Sequence, residues 1–255
     1  MDSLNVALKR PLDRPRARIR FFLVLLAANV INVFTGAVCF LTVWWFRDWA
    51  YWQTGVRTMR WYLLFAGIRT RVSGIQKLKP DRPAVYVSNH LSHFDIPAAM
   101  AGLPVRFHFI AKKELLRIPI FGWALPPLGM LMIDRSTPEK AYASINEAAR
   151  RVSEENQSVL IYPEGGISKT GRLQSFKKGA FVLALSARVP IVPILVHGSD
   201  RLFSVPRIES RPGRMSIDVL DEIDTSAYGP EDVEQLMEKV HSVMLEAEEK
   251  AAKRP

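Results

Sequence analysis

The chain has 255 residues, of which 48% are hydrophobic and 24% charged, which excludes an intrinsically disordered protein and leaves room for one domain with a sizeable core plus an appendage. One cysteine, Cys39, excludes an internal disulfide framework and fits a reducing compartment. The net charge of +10 is uneven: residues 1–20 hold six Lys/Arg against two Asp/Glu, residues 221–255 four against ten, and the basic body between them suits nucleic acid, anionic lipid or a phosphorylated substrate alike.

Residues 1–20 read as a basic tail, carrying Lys9, Arg10, Arg14, Arg16, Arg18 and Arg20. From Phe21 to Phe46 no charge interrupts the chain. As a helix this run would extend roughly 39 Å, more than the roughly 30 Å hydrocarbon core of a bilayer. It is too long and too uniformly apolar for an ordinary core helix, and no small-residue cleavage site follows it, which argues against a signal peptide. Positive charge lies on both sides, with Arg47, Arg57, Arg60, Arg69, Arg71 and Lys77 following, so both ends are expected on the cytoplasmic side. A helical hairpin dipping into one leaflet reconciles the charges, with a break expected near Asn29, Asn32, Thr35 and Gly36; the alternative is a single true span. Trp44, Trp45, Trp49, Tyr51, Trp52, Trp61 and Tyr62 would then sit at headgroup level. Residues 21–68 thus read as a membrane-anchoring helical region.

Beyond it, residues 69–255 read as one α/β domain. Strands are predicted at 84–88, 106–110, 129–134, 158–162, 191–196 and 215–220, the last alternating as an edge strand would. Helices are predicted from Pro138 to Glu155 behind a Thr137 cap, from Lys177 to Ala187, and from Pro230 to about Lys250. The alternation implies a single mixed or parallel β-sheet flanked by helices.

The strand at 84–88 runs into Asn89-His90-Leu91-Ser92-His93-Phe94-Asp95-Ile96-Pro97. Loops after strand ends are where such folds place reactive groups. His90 and Asp95 would point roughly 140° apart on a regular helix, so a turn must bring them together, with a helix starting near Asp95. A neutral imidazole can deprotonate a hydroxyl as it attacks a carbonyl, and a carboxylate on the other ring nitrogen fixes the tautomer. The rival chemistries are weaker. No zinc-hydrolase spacing surrounds His90, His93 and Asp95, and Ser92 lacks the flanking glycines of a hydrolase nucleophile.

Three further blocks follow in order. Lys112-Lys113-Glu114-Leu115 leads through Pro119, Phe121-Gly122-Trp123 and Gly129 to Ile133-Asp134-Arg135; Tyr162-Pro163-Glu164-Gly165 comes next; and Val189-Pro190-Ile191-Val192-Pro193-Ile194 follows Phe176-Lys177-Lys178-Gly179. With Asn89-His90 and Asp95, these resemble the four motifs of the 1-acyl-glycerol-3-phosphate acyltransferase family across residues 70–200. The resemblance implies direct acyl transfer from acyl-CoA or acyl-carrier protein to a lysophospholipid hydroxyl, with His90 as base, Asp95 as its orienting partner, and no metal or redox cofactor. It implies an enzyme of the inner membrane with its site at the cytoplasmic face. In one respect the chain departs from the pattern: the third motif usually reads Glu-Gly-Thr-Arg, and here Ile167 stands in place of the arginine thought to hold the acceptor phosphate. Another cation (Lys112, Arg135, Lys169 or Arg172) would serve, or the acceptor lacks a phosphate monoester. Glu164, Gly165 and Gly166 are expected to form a tight turn lining the substrate site and exposing backbone N–H groups. Acylation of another lysolipid or an amino-acid lipid is the nearest alternative. A non-catalytic lipid-binding protein has no need of the His–Asp pair, and no nucleic-acid-binding signature appears.

Overall fold

The structure is a computed structural model, which describes residues 14–42, 45–46, 49–117, 121–126, 129–134, 136–204 and 209–253. Helix α1 (Arg14–Thr42) runs unbroken for 29 residues. The expected break at Asn29 to Gly36 does not occur, because the polar side chains turn back onto the helix: Asn29 donates to the Leu25 carbonyl, Thr35 to Ile31 and Thr42 to Val38, each at 2.7–2.8 Å. The chain reverses later, passes through a π-helical turn (Ala50–Val56) and returns as α2 (Arg57–Phe65). Three long-range bonds tie the arms together: Arg20 donates to the Ala66 carbonyl at 2.8 Å, and the Tyr62 hydroxyl reaches the Ala28 carbonyl at 3.2 Å and the Asn32 side chain.

The hairpin turns its apolar residues two ways. Ala17, Phe21 and Val24 are buried against the domain, while Phe22, Leu23, Leu26, Val33, Phe34 and Leu41 are exposed. Trp45, Trp49 and Trp61 are exposed; Trp44 lies outside the described residues. Tyr51 does not join them. It is buried, and its hydroxyl accepts from the Phe107 N–H at 3.3 Å, because the returning arm lies directly on the domain core.

The domain is built on a mixed seven-stranded sheet: β1 (Ile68–Ser73), β2 (Val85–Ser88), β3 (His108–Lys112), β4 (Leu131–Ile133), β5 (Val159–Ile161), β6 (Ile191–His197) and β9 (Gly213–Val219), in the order β1-β9-β6-β2-β5-β3-β4. Strands β6, β2, β5, β3 and β4 are mutually parallel; β9 pairs antiparallel with β6, and β1 runs parallel to β9. The 215–220 strand is therefore not at the edge. It is covered by β1, in register from Ile68 against Gly213 to Ser73 against Asp218. Short strands β7 (Phe203–Ser204) and β8 (Glu209–Ser210) form a separate ribbon.

Each face of the sheet has its own core, as a strand's period of two requires. Tyr86, Leu160, Val192 and Ile194 face the hairpin and α3 (Asp95–Gly102), with Phe21, Tyr51 and Ala98 among their neighbours. Val85, Val87, Val159, Ile161 and Ile191 face α5 (Pro138–Glu154), α6 (Gly179–Ala187) and α7 (Val233–Ala252), against Val152, Phe181, Leu183 and Leu236. A short α4 (Phe121–Ala124) precedes β4. Thr137 caps α5 by accepting from the Lys140 N–H, and Pro138 opens its first turn. Because five strands share one direction, the segments following β2, β5, β6, β3 and β4 all emerge at one edge of the sheet.

Candidate active site

At that edge β2 ends in Ser88, and Asn89 locks the exit. Its side chain completes the ladder to β6, donating Nδ2–H to the Val196 carbonyl at 2.9 Å and accepting the Val196 N–H at 2.7 Å. The chain then turns, and Asp95 opens α3 behind a bond from its own N–H to the Ser92 carbonyl. The turn brings the carboxylate back to His90: Nδ1 and Asp95 Oδ2 are 2.9 Å apart. The same oxygen accepts the N–H groups of Leu91 at 2.6 Å and Ser92 at 2.8 Å, and Oδ1 accepts the Ser199 hydroxyl. Asp95 is thus fully buried and its side chain is met by four hydrogen-bonding partners.

The carboxylate fixes the His90 tautomer with hydrogen on Nδ1, leaving Nε2 as the free base. The imidazole is 14% exposed, so it has an opening. Its face is covered by Tyr162, with ring centroids 4.1 Å apart and planes at 20°. The loop after β5, which carries Tyr162, is also tied to the backbone of the turn, the Ser168 N–H donating to the His90 carbonyl at 2.7 Å. Ser92 is buried and donates to the Phe203 carbonyl at 3.1 Å, which removes it as a nucleophile. His93 is held below its usual pKa by burial first and the neighbouring His90 second. No group of three or more His, Cys, Asp or Glu arranged for a metal exists among the described residues.

Glu164 lies behind the catalytic loop with both carboxylate oxygens buried. Burial pushes its pKa up to about 7; the backbone N–H groups of His90 and Gln174 pull the other way, though neither closes a hydrogen bond of full geometry. Gly165 takes φ +80° and gives its N–H to the Tyr162 carbonyl at 3.1 Å, so only part of the expected backbone cradle is free. A Cβ on Gly166 would meet nothing within 4 Å, so the space over that residue is open.

Of the four expected phosphate cations, two have described side chains, Lys169 and Arg172. Lys112 ends β3, two strand positions or roughly 10 Å from β2 along the sheet; its side chain and the whole of Arg135 lie outside the described residues. Lys169 and Arg172 are exposed on the loop after β5 and have no carboxylate partner among the described residues. The residue that sequence reasoning passed over is Lys177. Its ammonium folds over the Gly165 turn, where a Cβ would come within 2.6 Å of Nζ, and it too lacks a carboxylate partner among the described residues. Ser199 and Tyr162 were also missed as partners of the pair. Lys177 and Tyr162 stood inside quoted motifs, whereas Ser199 lies 104 residues from Asp95 and carries no local signal.

The comparisons agree with this geometry. The family model described as Acyltransferase matches residues 69–197. A 1-acyl-sn-glycerol-3-phosphate acyltransferase of Haemophilus influenzae is 30% identical over 89% of this chain and 92% of its own. The alpha enzyme of that name from Mus musculus is 36% identical over 74% of this chain and 68% of its own. The Cocos nucifera enzyme is 37% identical over 64% of this chain, which spans only about half (53%) of that relative. The crystal structure of the 1-acyl-sn-glycerophosphate acyltransferase of Thermotoga maritima superposes with a TM-score of 0.79, covering 94% of this chain and 98% of its own at 24% identity, and shares the fold. With the His–Asp pair after β2 and the matched segment spanning half its length, the chain belongs to the 1-acyl-sn-glycerol-3-phosphate acyltransferase family.

Proposed function

We propose that the protein transfers a fatty acyl chain from acyl-CoA or acyl-carrier protein to the sn-2 hydroxyl of 1-acyl-glycerol 3-phosphate, giving phosphatidic acid for phospholipid synthesis. The observation that carries the reading is the 2.9 Å contact between His90 Nδ1 and a fully buried, four-donor Asp95 carboxylate, with Nε2 left free. His90 Nε2 takes the hydroxyl proton as the oxygen attacks the thioester carbonyl. Asp95 stabilises the imidazolium so formed. Collapse of the tetrahedral intermediate expels the thiolate, and the imidazolium returns the proton to sulfur. Side chains carry every proton in this cycle, so the reading invokes no metal or redox cofactor.

Residues 69–255 serve as the acyltransferase domain and residues 21–68 as the anchor, with the basic residues of 1–20 adding attraction to anionic headgroups. Within α1, Pro15–Val38 is long and apolar enough to cross a membrane. The bonds from Tyr62 and Arg20 fold α2 back along it, which supports a hairpin seated in the cytoplasmic leaflet of the cell membrane, its site at that face. Lys177 takes the place of the absent arginine as the phosphate cation. A second reading, acylation of a lysolipid without a phosphate monoester, is favoured only by Ile167.

The test is acyl transfer by the purified chain in nanodiscs, with acyl-CoA and either lysophosphatidic acid or other lysolipids, read as thiol release and product mass. Activity on lysophosphatidic acid that falls about 100- to 10,000-fold in His90→Ala is the expected result. Activity confined to another acceptor would move the reading to the second. Equal activity of the two proteins would overturn the role of His90.

A further inference from the structure

Helix α2 has a face that neither α1 nor the domain covers. Thr58 and Leu63 are buried and Tyr62 is bonded to α1, whereas Arg57, Arg60, Trp61 and Leu64 are exposed. At 3.6 residues per turn these four lie within an arc of about 100°, along roughly 10 Å of helix. They line a shallow cleft of about 400 Å³. Its walls are mostly carbon, supplied by the arginine stems, the indole and the leucine. The Trp61 ring stacks on the exposed Phe65, centroids 5.9 Å apart and planes at 29°, which extends the apolar end beyond the cleft. At the other end the guanidinium groups are unengaged. Neither Arg57 nor Arg60 has a hydrogen-bond or ion-pair partner among the described residues, and no Asp or Glu stands among the described residues from 14 to 65.

We infer that this face binds one anionic glycerophospholipid, with its phosphodiester between Arg57 and Arg60 and the start of its acyl chains on Leu64 and Phe65. The inference rests on the membrane-anchoring reading of the hairpin and is independent of the acyl-transfer chemistry. The order of groups along the helix selects this occupant. Guanidinium groups grip phosphate oxygens through paired N–H donors. An indole with one polar edge suits the glycerol and ester level, and the leucine and phenyl suit methylenes. The headgroup zone of a bilayer is roughly 5–8 Å deep on each side, so about 10 Å of tilted helix reaches from the phosphate to the first methylenes. A free phosphate would use the arginine end alone. Two cations without a carboxylate favour a lipid of net negative charge over a zwitterionic one, whose own ammonium opposes them. The exposed apolar residues of α1 carry the same lipid-facing surface onward. Because α2 also packs on α3, the helix that begins at Asp95, a lipid seated on its outer face fixes the catalytic helix relative to the bilayer surface.

The test is native mass spectrometry of the full chain released from detergent micelles after titration with phosphatidylglycerol or phosphatidylcholine, with inorganic phosphate as competitor. One phosphatidylglycerol is expected to be retained, phosphatidylcholine to need at least tenfold more lipid for the same occupancy, and millimolar phosphate to leave the bound lipid in place. Arg57→Gln combined with Arg60→Gln should weaken retention at least tenfold, the worth of a hydrogen bond to a charged group. Arg57→Lys combined with Arg60→Lys, which keeps the charge and loses the paired donors, should fall between the two. Arg69→Gln combined with Arg71→Gln removes the same charge from exposed positions of β1 and should retain the lipid as the native chain does. Equal retention of the two lipids, full retention by the Arg57 and Arg60 glutamine variant, or an equal loss in the Arg69 and Arg71 variant would overturn the inference. Displacement of the lipid by phosphate would assign the arginines to a free anion and overturn it as well. Flotation of the native chain with phosphatidylcholine vesicles separates the two readings: a chain that fails to float overturns the anchor, and one that floats without preferring phosphatidylglycerol overturns the lipid site alone.

Discussion

Asp95→Asn separates the charge of the catalytic carboxylate from its geometry. Four donors meet the native side chain, three of them (His90 Nδ1–H and the N–H groups of Leu91 and Ser92) on Oδ2 and one, the Ser199 hydroxyl, on Oδ1. An asparagine amide has one orientation that fits: its oxygen takes the three N–H donors, and its NH₂ turns to Ser199, whose hydroxyl can accept instead. The two backbone donors therefore hold the oxygen toward His90, and the imidazole keeps its hydrogen on Nδ1. What disappears is the negative charge beside the imidazolium formed in the transition state. For unit charges about 4 Å apart at an effective dielectric of 20 that attraction is about 4 kcal/mol, or about a thousandfold in rate at 1.36 kcal/mol per decade. This is smaller than the roughly 10⁴-fold loss seen where an asparagine forces the wrong tautomer in a serine protease. The assay is kcat from thiol release on the purified variant, with ¹⁵N NMR of the histidine ring nitrogens to report the tautomer and a melting curve to report the fold. A rate within threefold of native would refute the carboxylate's electrostatic role. A flipped tautomer would refute the claim that Leu91 and Ser92 orient the amide.

Lys177→Ala should lower kcat/KM for lysophosphatidic acid by about 10- to 150-fold, the worth of a hydrogen bond to a charged group, with a much smaller effect on lysolipids lacking a phosphate monoester; equal losses for both would remove Lys177 from the phosphate site. Tyr162 covers His90 with its ring while its hydroxyl is buried without a hydrogen-bond partner among the described residues, so Tyr162→Phe should keep kcat and leave the melting temperature unchanged or raised, and Tyr162→Leu should lower kcat by loosening the imidazole. Glu164 titrates near 7 in the fold against 4.5 as a free side chain. The unfolded chain therefore binds fewer protons between those values, and the Glu164 contribution to stability falls as pH rises from 4.5 through 7. After discounting for partial exposure this amounts to about 1–2 kcal/mol. Denaturant melts across that range should show a shallower pH dependence in Glu164→Gln, and an unchanged slope would mean that Glu164 is already ionised.

Much of the sheet and the meeting of His90 with Asp95 was legible in the sequence for local reasons. Apolar runs such as Val85–Val87 and Val159–Ile161 are buried on both faces, and the Asn89 to Pro97 segment contains both partners and the proline of the helix start. Strand β1 was missed because Arg69 and Arg71 alternate with Thr70 and Val72, a pattern that reads as a charged flank until β9 is seen to pair with it. The alternation of residues 215–220 placed β9 at the edge, where β1 in fact covers it. The hairpin turn was misplaced because a polar side chain in an apolar helix looks like a break, whereas Asn29 and Thr35 satisfy themselves on the preceding turn. Ser199, the ring stack of Tyr162 and the reach of Lys177 arise only when β5, β6 and the loops after them converge on β2. Nothing in the spacing of residues 90, 162, 177 and 199 encodes that convergence.

Asn89 ties the catalytic turn to Val196, 107 residues away, through two bonds that imitate a strand pair. Local bonds from Leu91 and Ser92 to Asp95 shape the turn, but where it stands is set by the registry of β2 against β6. During synthesis His90 emerges from the ribosome long before its anchor does, so the nascent chain stays inert until β6 has docked. In the finished protein, turnover is a reporter of that single seam. Loosening of β6 would silence the site while the helices on either face still gave their full circular-dichroism signal.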